Sequence, residues 1–458
     1  MGNFWDFNSW GFFNLLAVLM LSLLAGNMLK RSIPALQASL IPTSVLGGGI
    51  LLVVSVVYKA ITGTEMFDTP FFSCQGTAWL ELLTYHMLAL GFTASALKSS
   101  GGKMTKERSV EIFNTGLTTV ATYLLQAMVG MLICIVAAFF LKDLLEAAGL
   151  LLALGYGQGT GQAMNYGSIY EADYGFVGGK SFGLTIAAMG FLSASFGGVL
   201  HLNYLKRKGK IQLDKGSGLF GEQVEGVNEI PMQESIDKLT IQIALVMAAY
   251  LLAYLLMFFL GNLLPGLRST IYGFNFLLGV LAATVLKSVL NALQRKNIIH
   301  RYYTNNFLLT RITNFFFDIM VTAGIAAIRM SIIGKYLGVL LIMGFVGLVA
   351  TYLYVYFVCR KLFPNYAEQQ FLAMYGMLTG TASTGIILLR EIDGDFKTPV
   401  ADNLVYQNFP AMVFGFPILL LATMAPNQPY LTLGIVVVFF IAMNLLLFRS
   451  QIFQKKKK

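Results

Sequence analysis

Charge is scarce in this chain. Lys, Arg, Asp and Glu together make up 12% of its 458 residues, against roughly a quarter in a soluble globular domain. A water-soluble globule of this length is therefore excluded. Cysteine is scarcer still: Cys74, Cys134 and Cys359 are the whole set. Their separations fit neither a metal-binding spacing nor a disulfide framework, and they read as small apolar fillers. Enzyme signatures are missing as well. There is no HExxH, no P-loop, no DDxxD and no Cys/His cluster, so the chain is expected not to be an enzyme and to need no cofactor. No basic residue precedes the first apolar run, which starts after Asp6, whereas Lys30 and Arg31 follow it. That order favours an uncleaved first helix with its N-terminus outside over a secretory signal.

Apolar residues are abundant. They make up 56% of the chain, the mean hydropathy is +0.69, and runs near the bilayer length of about 20 residues recur along it. The expected fold class is an all-α polytopic membrane protein, its partner the lipid bilayer. The net charge of +10 fits Lys and Arg retained in cytoplasmic loops rather than a nucleic-acid surface. Continuous spans are expected at about 11–29, 43–61, 78–97, 110–140, 180–205, 237–263, 271–293, 308–329, 332–359, 399–424 and 431–449. Two further apolar segments, about 144–173 and 366–391, are interrupted by small and polar residues. If each is a re-entrant hairpin, eleven crossings remain and the C-terminus is cytoplasmic. All of the 32 Lys and Arg except Lys59, Lys142, Lys180, Arg268, Arg329 and Lys335 then fall on the cytoplasmic side. Full crossings would instead put the cluster Lys206 to Lys215 outside, against the retention rule.

The first interrupted segment contains LALGYGQGTGQAMNYGSIYE, Leu152 to Glu171, with five glycines, two glutamines and an asparagine. The second contains LTGTASTGI, Leu378 to Ile386. The motif YGQGTG, Tyr156 to Gly161, is answered by YGMLTG, Tyr375 to Gly380, 219 residues later, and Ala163 and Ala382 match at the same offset. A weaker pairing sets LGFTASALK, Leu90 to Lys98, against VTAGIAAIR, Val321 to Arg329. Two halves follow, about 1–206 and 236–425, joined by a cytoplasmic linker at 207–235 and trailed by an extra helix and basic tail at 426–458. Five crossings per half force opposite orientations, so the hairpins enter from opposite faces. Inverted repeats with broken segments near the midplane are the build of secondary transporters.

Irregular backbone at membrane depth must be buried in protein or line a wet cavity. Helix N-termini at such breaks favour an anionic group and freed carbonyls favour a small cation. The first break offers Gly157, Gln158, Gly159, Thr160, Gly161, Gln162 and Asn165 as substrate contacts. The second offers Thr379, Gly380, Thr381, Ser383 and Thr384. Close packing of small residues is the competing reading of such stretches. Further polar contacts are expected from Ser193, Ser195, Asp318, Asn403, Gln407 and Asn408. Asp318 lies within a span, where a carboxylate is a functional candidate or the partner of Arg311. Thr160, Thr379 and Asp318 are the candidate sodium ligands. Arg390 reads as a membrane-edge anchor, His86 as a hydrogen-bonded packing residue, and His201 and His300 as interfacial.

At these residues the chain resembles the bacterial sodium/glutamate symporter family. The sharpest likeness is GYGQGTGQAMNYGSIYEADYGF, Gly155 to Phe176, and GGGIL, Gly47 to Leu51, is similar to the family's glycine-rich second span. In place of LTGTASTGI the family tends to a glycine-richer loop. The resemblance implies sodium-driven glutamate uptake across a bacterial plasma membrane by a homodimer, with an elevator-like motion of the hairpin domain. The same fold carrying another di- or tricarboxylate, and a passive channel, are the rival expectations.

Overall fold

The computed structural model describes residues 4–98, 105–209, 229–230, 236–394 and 397–453. Most of the expected linker, the loop at 99–104 and the basic tail lie outside them. The regular structure of the described residues is helical, with an isolated bridge between Glu229 and Tyr302. In chain order the principal helices are α1 (Phe7–Ser32), α2 (Thr43–Thr62), α3 (Gly76–Leu97), α4 (Lys106–Ala138), α5 (Leu151–Tyr174), α6 (Gly179–Arg207), α7 (Lys238–Leu263) and α8 (Asn275–Arg295). They continue with α9 (Asn306–Ala326), α10 (Leu337–Leu362), α11 (Ala367–Thr379), α12 (Ala382–Arg390), α13 (Val400–Tyr406), α14 (Asn408–Met424) and α15 (Pro429–Leu447). Among the described residues ten helices are long and apolar enough to cross a membrane, and α13 with α14 make an eleventh candidate bent by 47°. The protein is thus all-α, with the helix number and hydropathy of a multi-pass membrane protein. The bend falls at Gln407, just ahead of Pro410. Proline has no N–H for the carbonyl four residues back and its ring crowds that carbonyl.

Contacts divide the chain into two compact units. The smaller, 81–103 with 220–321, holds most of α3 and α9 together with α7 and α8. Its apolar centre joins Leu90, Ala94, Val246, Ala249, Ala283 and Leu309. His86 meets the Tyr250 hydroxyl at 2.7 Å, in keeping with a hydrogen-bonded packing role. Lys238 is fully buried: its Nζ donates to Glu229 at 2.8 Å, and Asn305 Nδ2 donates to the same carboxylate oxygen at 2.7 Å. Lys238 is therefore half of a buried ion pair, which holds Glu229 against the chain leading into α9.

The larger unit comprises 1–80, 104–219 and 322–458. Small residues let its backbones approach. A Cβ at Gly26 would sit 2.9 Å from the amide nitrogen of Gly47, and one at Gly47 would sit 2.9 Å from the Ser22 carbonyl oxygen. Gly48 meets the last turn of α9, at Thr322 and Ile325. The GGGIL stretch thus serves close helix packing.

The segment before and within α5 doubles back. At its start Asp143 binds Lys335 at 3.1 Å and the Tyr336 hydroxyl at 3.0 Å, and Glu146 accepts from Tyr430 at 3.2 Å. At its end the Tyr174 hydroxyl donates to the Thr423 carbonyl at 3.3 Å, and Gly178 lies against Ile332. Ile332 and Lys335 are neighbours, and Thr423 and Tyr430 flank the single turn between α14 and α15. Both ends of the segment therefore lie on one side. The reversal is at Gly159, whose φ of 82° and ψ of −172° lie outside the helical region within α5; positive φ is cheap only for glycine. The first arm descends beside α4, with Gly149 against Gly130 and the Tyr123 hydroxyl on the Gly157 carbonyl at 2.9 Å. The second arm returns beside α6, with Ala163 against Gly183 and Gly167 against Gly179.

The second interrupted segment is a helical hairpin too. Helices α11 and α12 meet at Gly380–Thr381, Thr381 capping α12 by accepting from the Thr384 amide at 3.3 Å. The arms touch through glycine, a Cβ at Gly376 falling 2.8 Å from Gly385 Cα. This hairpin starts at the far end of α6, where Glu368 bonds His201. The two doubled segments thus enter from opposite ends of α6, and Gly183, Gly190 and Gly197, at seven-residue spacing along one face of it, receive them in turn. A Cβ at Gly183 would overlap the Ala163 carbonyl, one at Gly190 the Thr379 carbonyl, and one at Gly197 the Tyr375 hydroxyl.

The contact between Gly130 and Gly149 is the sharpest local test of this packing. A Cβ at either position would overlap the other's carbonyl. Gly130→Leu is expected to destabilise the fold by about 3 kcal/mol or more, since overpacking costs about 1–3 kcal/mol even where side chains can give. Thermal unfolding in detergent should show this as a lowered Tm and loss of monodisperse protein.

Candidate functional site

The tips of the two doubled segments converge within the larger unit. The Thr379 carbonyl and the backbone of Tyr156 both lie against Gly190 of α6, Tyr156 Cα being 3.3 Å from where its Cβ would stand. One turn of α4 brackets the same region. Tyr123 reaches the first tip through the Gly157 carbonyl, and Gln126 reaches the second, its Nε2 donating to the Leu378 carbonyl at 2.8 Å and to Thr351 Oγ1 at 3.0 Å. The carbonyl of Gly157 is taken up by Tyr123, and Gly157 itself is pressed against that tyrosine ring.

The amide of Gln162 is the most informative group here. Its residue is 1% exposed, and neither Oε1 nor Nε2 has a protein partner. A buried primary amide with both ends unpaired is rare, because each unmet polar atom costs about 1–3 kcal/mol. Gln126 repeats the signal in part, being fully buried with Oε1 unpaired. Gln370 Oε1 and Asn403 Nδ2 are likewise unpaired and buried. Amides left open in a low-dielectric interior want a polar ligand or water.

The other expected contacts sort by position. Thr160 is fully buried and packs against Gly324, Gly161 is buried, Asn165 is 7% exposed, and Gln158 is partly exposed. Thr379 is buried and its hydroxyl donates to the Tyr375 carbonyl at 2.7 Å. Thr381 and Thr384 hydroxyls stand 3.2 Å apart, while Ser383 is exposed. Ser193 bonds the Tyr156 hydroxyl at 2.9 Å, and its Oγ also reaches the Met189 carbonyl. Ser195 donates to the Phe191 carbonyl at 3.1 Å, a bond within its own helix. Asn403 accepts from Arg108 at 2.9 Å and Gln407 from Thr119 at 2.9 Å, placing both amides beside α4, and Asn408 is exposed. Asp318 is an exposed residue of α9 assigned to the smaller unit, and Arg311 stands 5.0 Å over the Phe307 ring. Arg390 is exposed at the end of α12. No group of three or more His, Cys, Asp and Glu among the described residues is arranged to hold a metal ion.

Two features escaped the sequence reading. Gln126 went unremarked in the run YLLQAMVG, although a lone amide within an apolar span is the available signal. The enclosure of His201 is the second: it is 1% exposed. Its Nδ1 lies 2.6 Å from the Tyr352 hydroxyl and its Nε2 donates to Glu368 at 2.8 Å, while Arg360 binds the other carboxylate oxygen at 2.8 Å. Three helices meet there at the base of the second hairpin, so the imidazole is enclosed by partners from α10 and α11. The sequence cannot show that α11 returns to the end of α6.

The chain matches no known protein-family model, and no curated protein matches it.

The His201 hydrogen bond, and then Arg360, hold the Glu368 carboxyl well below its usual range, at about 2. A lowered carboxylate pKa stabilises the fold above the unfolded value near 4.5, and that contribution is lost as pH falls from there towards 2. Thermal scans of the solubilised protein should show Tm dropping across this interval. Glu368→Gln should flatten part of the drop and lower stability near neutral pH by about 1 kcal/mol, a figure discounted for the carboxylate's partial exposure.

Proposed function

We propose that this protein is a sodium-coupled symporter that imports glutamate by alternating access. The reading rests above all on one observation: the tips of two doubled segments, coming from opposite ends of α6, converge on Gly190, and the first of these segments carries the buried, unpaired Gln162 amide. In this reading 1–206 and 236–425 are inverted repeats of five spans, each with a re-entrant hairpin, and 426–458 adds one span and a cytoplasmic tail. The N-terminus lies outside and the C-terminus in the cytoplasm of a bacterial plasma membrane. The likeness of Gly155 to Phe176 to the sodium/glutamate symporters supplies the substrate and the coupling ion, as well as the homodimer and the elevator motion.

The chemistry follows from the two breaks. A helix starting at a broken tip presents unused N–H groups and the positive end of its dipole, which favour a carboxylate. Helix α12, capped by Thr381, and the second arm of α5, beginning at Thr160, both start in this way. Carbonyls at the preceding helix ends, with the Thr160 and Thr379 hydroxyls, suit sodium. Carrying the cation with the anion lowers the charge moved through lipid, and sodium running down its gradient drives the solute inward.

Uptake of labelled glutamate into proteoliposomes tests the proposal. An inward sodium gradient is expected to raise accumulation several-fold over a sodium-free control, and uptake indifferent to sodium refutes the coupling. Uptake of a di- or tricarboxylate in place of glutamate would retain the carrier and replace its substrate. Sidedness is tested separately: single cysteines at Ser168 and Ile386 should react with an impermeant thiol reagent from opposite faces, and labelling of both from one face refutes the inverted arrangement.

A further inference from the structure

Gln126 is fully buried in the middle of α4, and its amide is half used. Nε2 makes two bonds, to Leu378 O at 2.8 Å and Thr351 Oγ1 at 3.0 Å, which fix the plane and rotamer of the amide. Oε1, on the other branch of the same rigid plane, has no protein partner. The result is a pre-oriented acceptor, held beside the second tip one residue from Thr379. One helical turn away, Tyr123 grips the first tip. A fixed, unpaired acceptor in a buried setting is matched by a donor that arrives with the ligand, and it discriminates strongly against ligands lacking that donor.

We propose that Gln126 Oε1 accepts a hydrogen bond from the ammonium group of the transported solute and so selects an α-amino acid over a plain dicarboxylate. This rests on the transport reading and sharpens it. The helix starts at the tips supply N–H donors, which suit carboxylates and cannot bind an ammonium. Gln126 supplies the complementary acceptor, and it does so from α4 rather than from either doubled segment. Its Nε2 bonds tie the acceptor to the backbone next to Thr379, so binding of the ammonium also fixes the second tip.

Competition against labelled glutamate uptake in proteoliposomes decides the matter. The competitors are unlabelled glutamate and glutarate, which keeps both carboxylates at the same separation and lacks the ammonium. In the wild type glutarate should compete at least about 100-fold more weakly, as expected when a buried acceptor is left unmet. Gln126→Leu should bring the ratio of the two inhibition constants down by about tenfold or more. A merely structural role for Gln126 would weaken both competitors alike and leave the ratio unchanged, which would overturn the proposal. Thr351→Val removes one Nε2 bond without touching Oε1 and should keep the wild-type ratio. The wild-type measurement alone bears on the proposal if Gln126→Leu does not fold: equal competition by glutarate overturns it while leaving an organic-anion carrier standing. Absence of any saturable uptake of either compound overturns both this proposal and the transport reading.

Discussion

A helix that breaks inside an apolar layer leaves N–H and C=O groups that hydrocarbon cannot satisfy. The larger unit answers this constraint with two devices. Glycine lets neighbouring backbones touch, at Gly130 with Gly149, Gly167 with Gly179 and Gly376 with Gly385. Tyrosine then spans the gaps, each ring filling volume while its hydroxyl donates to a main-chain carbonyl. Tyr123 does so to Gly157, Tyr156 to Gly344, Tyr166 to Leu419, Tyr170 to Ala422 and Tyr375 to Ser193. The amphipathic side chain suits the task, being apolar along its body and polar at one end. The doubled segments are therefore cross-linked to α4, α6, α10 and α14 by uncharged tyrosine hydroxyls.

Helix α6 organises the arrangement because its small residues recur on one face. Its early glycines receive the second arm of α5, its middle glycine receives both tips, and its later glycines receive α11 and α12. Its far end carries His201, which is locked to Tyr352 and Glu368. Helix α4 performs the complementary service from the other side. Thr115, Thr118 and Thr122 return their hydroxyls to carbonyls within their own helix and Thr119 gives its hydroxyl to Gln407, so this threonine-rich face adds few unmet donors. The unmet polar atoms concentrate instead on amides. That separation of satisfied backbone from unsatisfied side chains is the pattern expected of a polar binding region set in an apolar protein.

Much of this was legible beforehand. Hydropathy alone fixed the number and limits of the long helices to within a few residues, because burial in lipid demands continuous apolar stretches. The repeated YG…TG motif located both breaks, since glycine and hydroxyl residues are costly within a regular span unless the backbone uses them. The site residues were read less completely. Gln162 stood out among glycines and proved to be buried and unpaired. Gln126 did not stand out, for a single amide in an apolar run carries no periodic signal. Ser193 and Ser195 read as candidates, yet both return their hydroxyls to carbonyls of their own helix, an alternative that composition cannot distinguish.

By itself the sequence determined the helical class, the positions of the spans and the places where two helices must break, because these follow from local composition and the solvent the chain is made for. Tertiary structure decided which polar groups remain open. Gln126 and Gln162 differ from Gln407 only in what surrounds them: Gln407 finds Thr119 and Asn408, Gln126 finds partners for one end of its amide, and Gln162 finds none. Hydrogen-bond satisfaction depends on neighbours brought together from distant parts of the chain, so no reading of nearest residues supplies it.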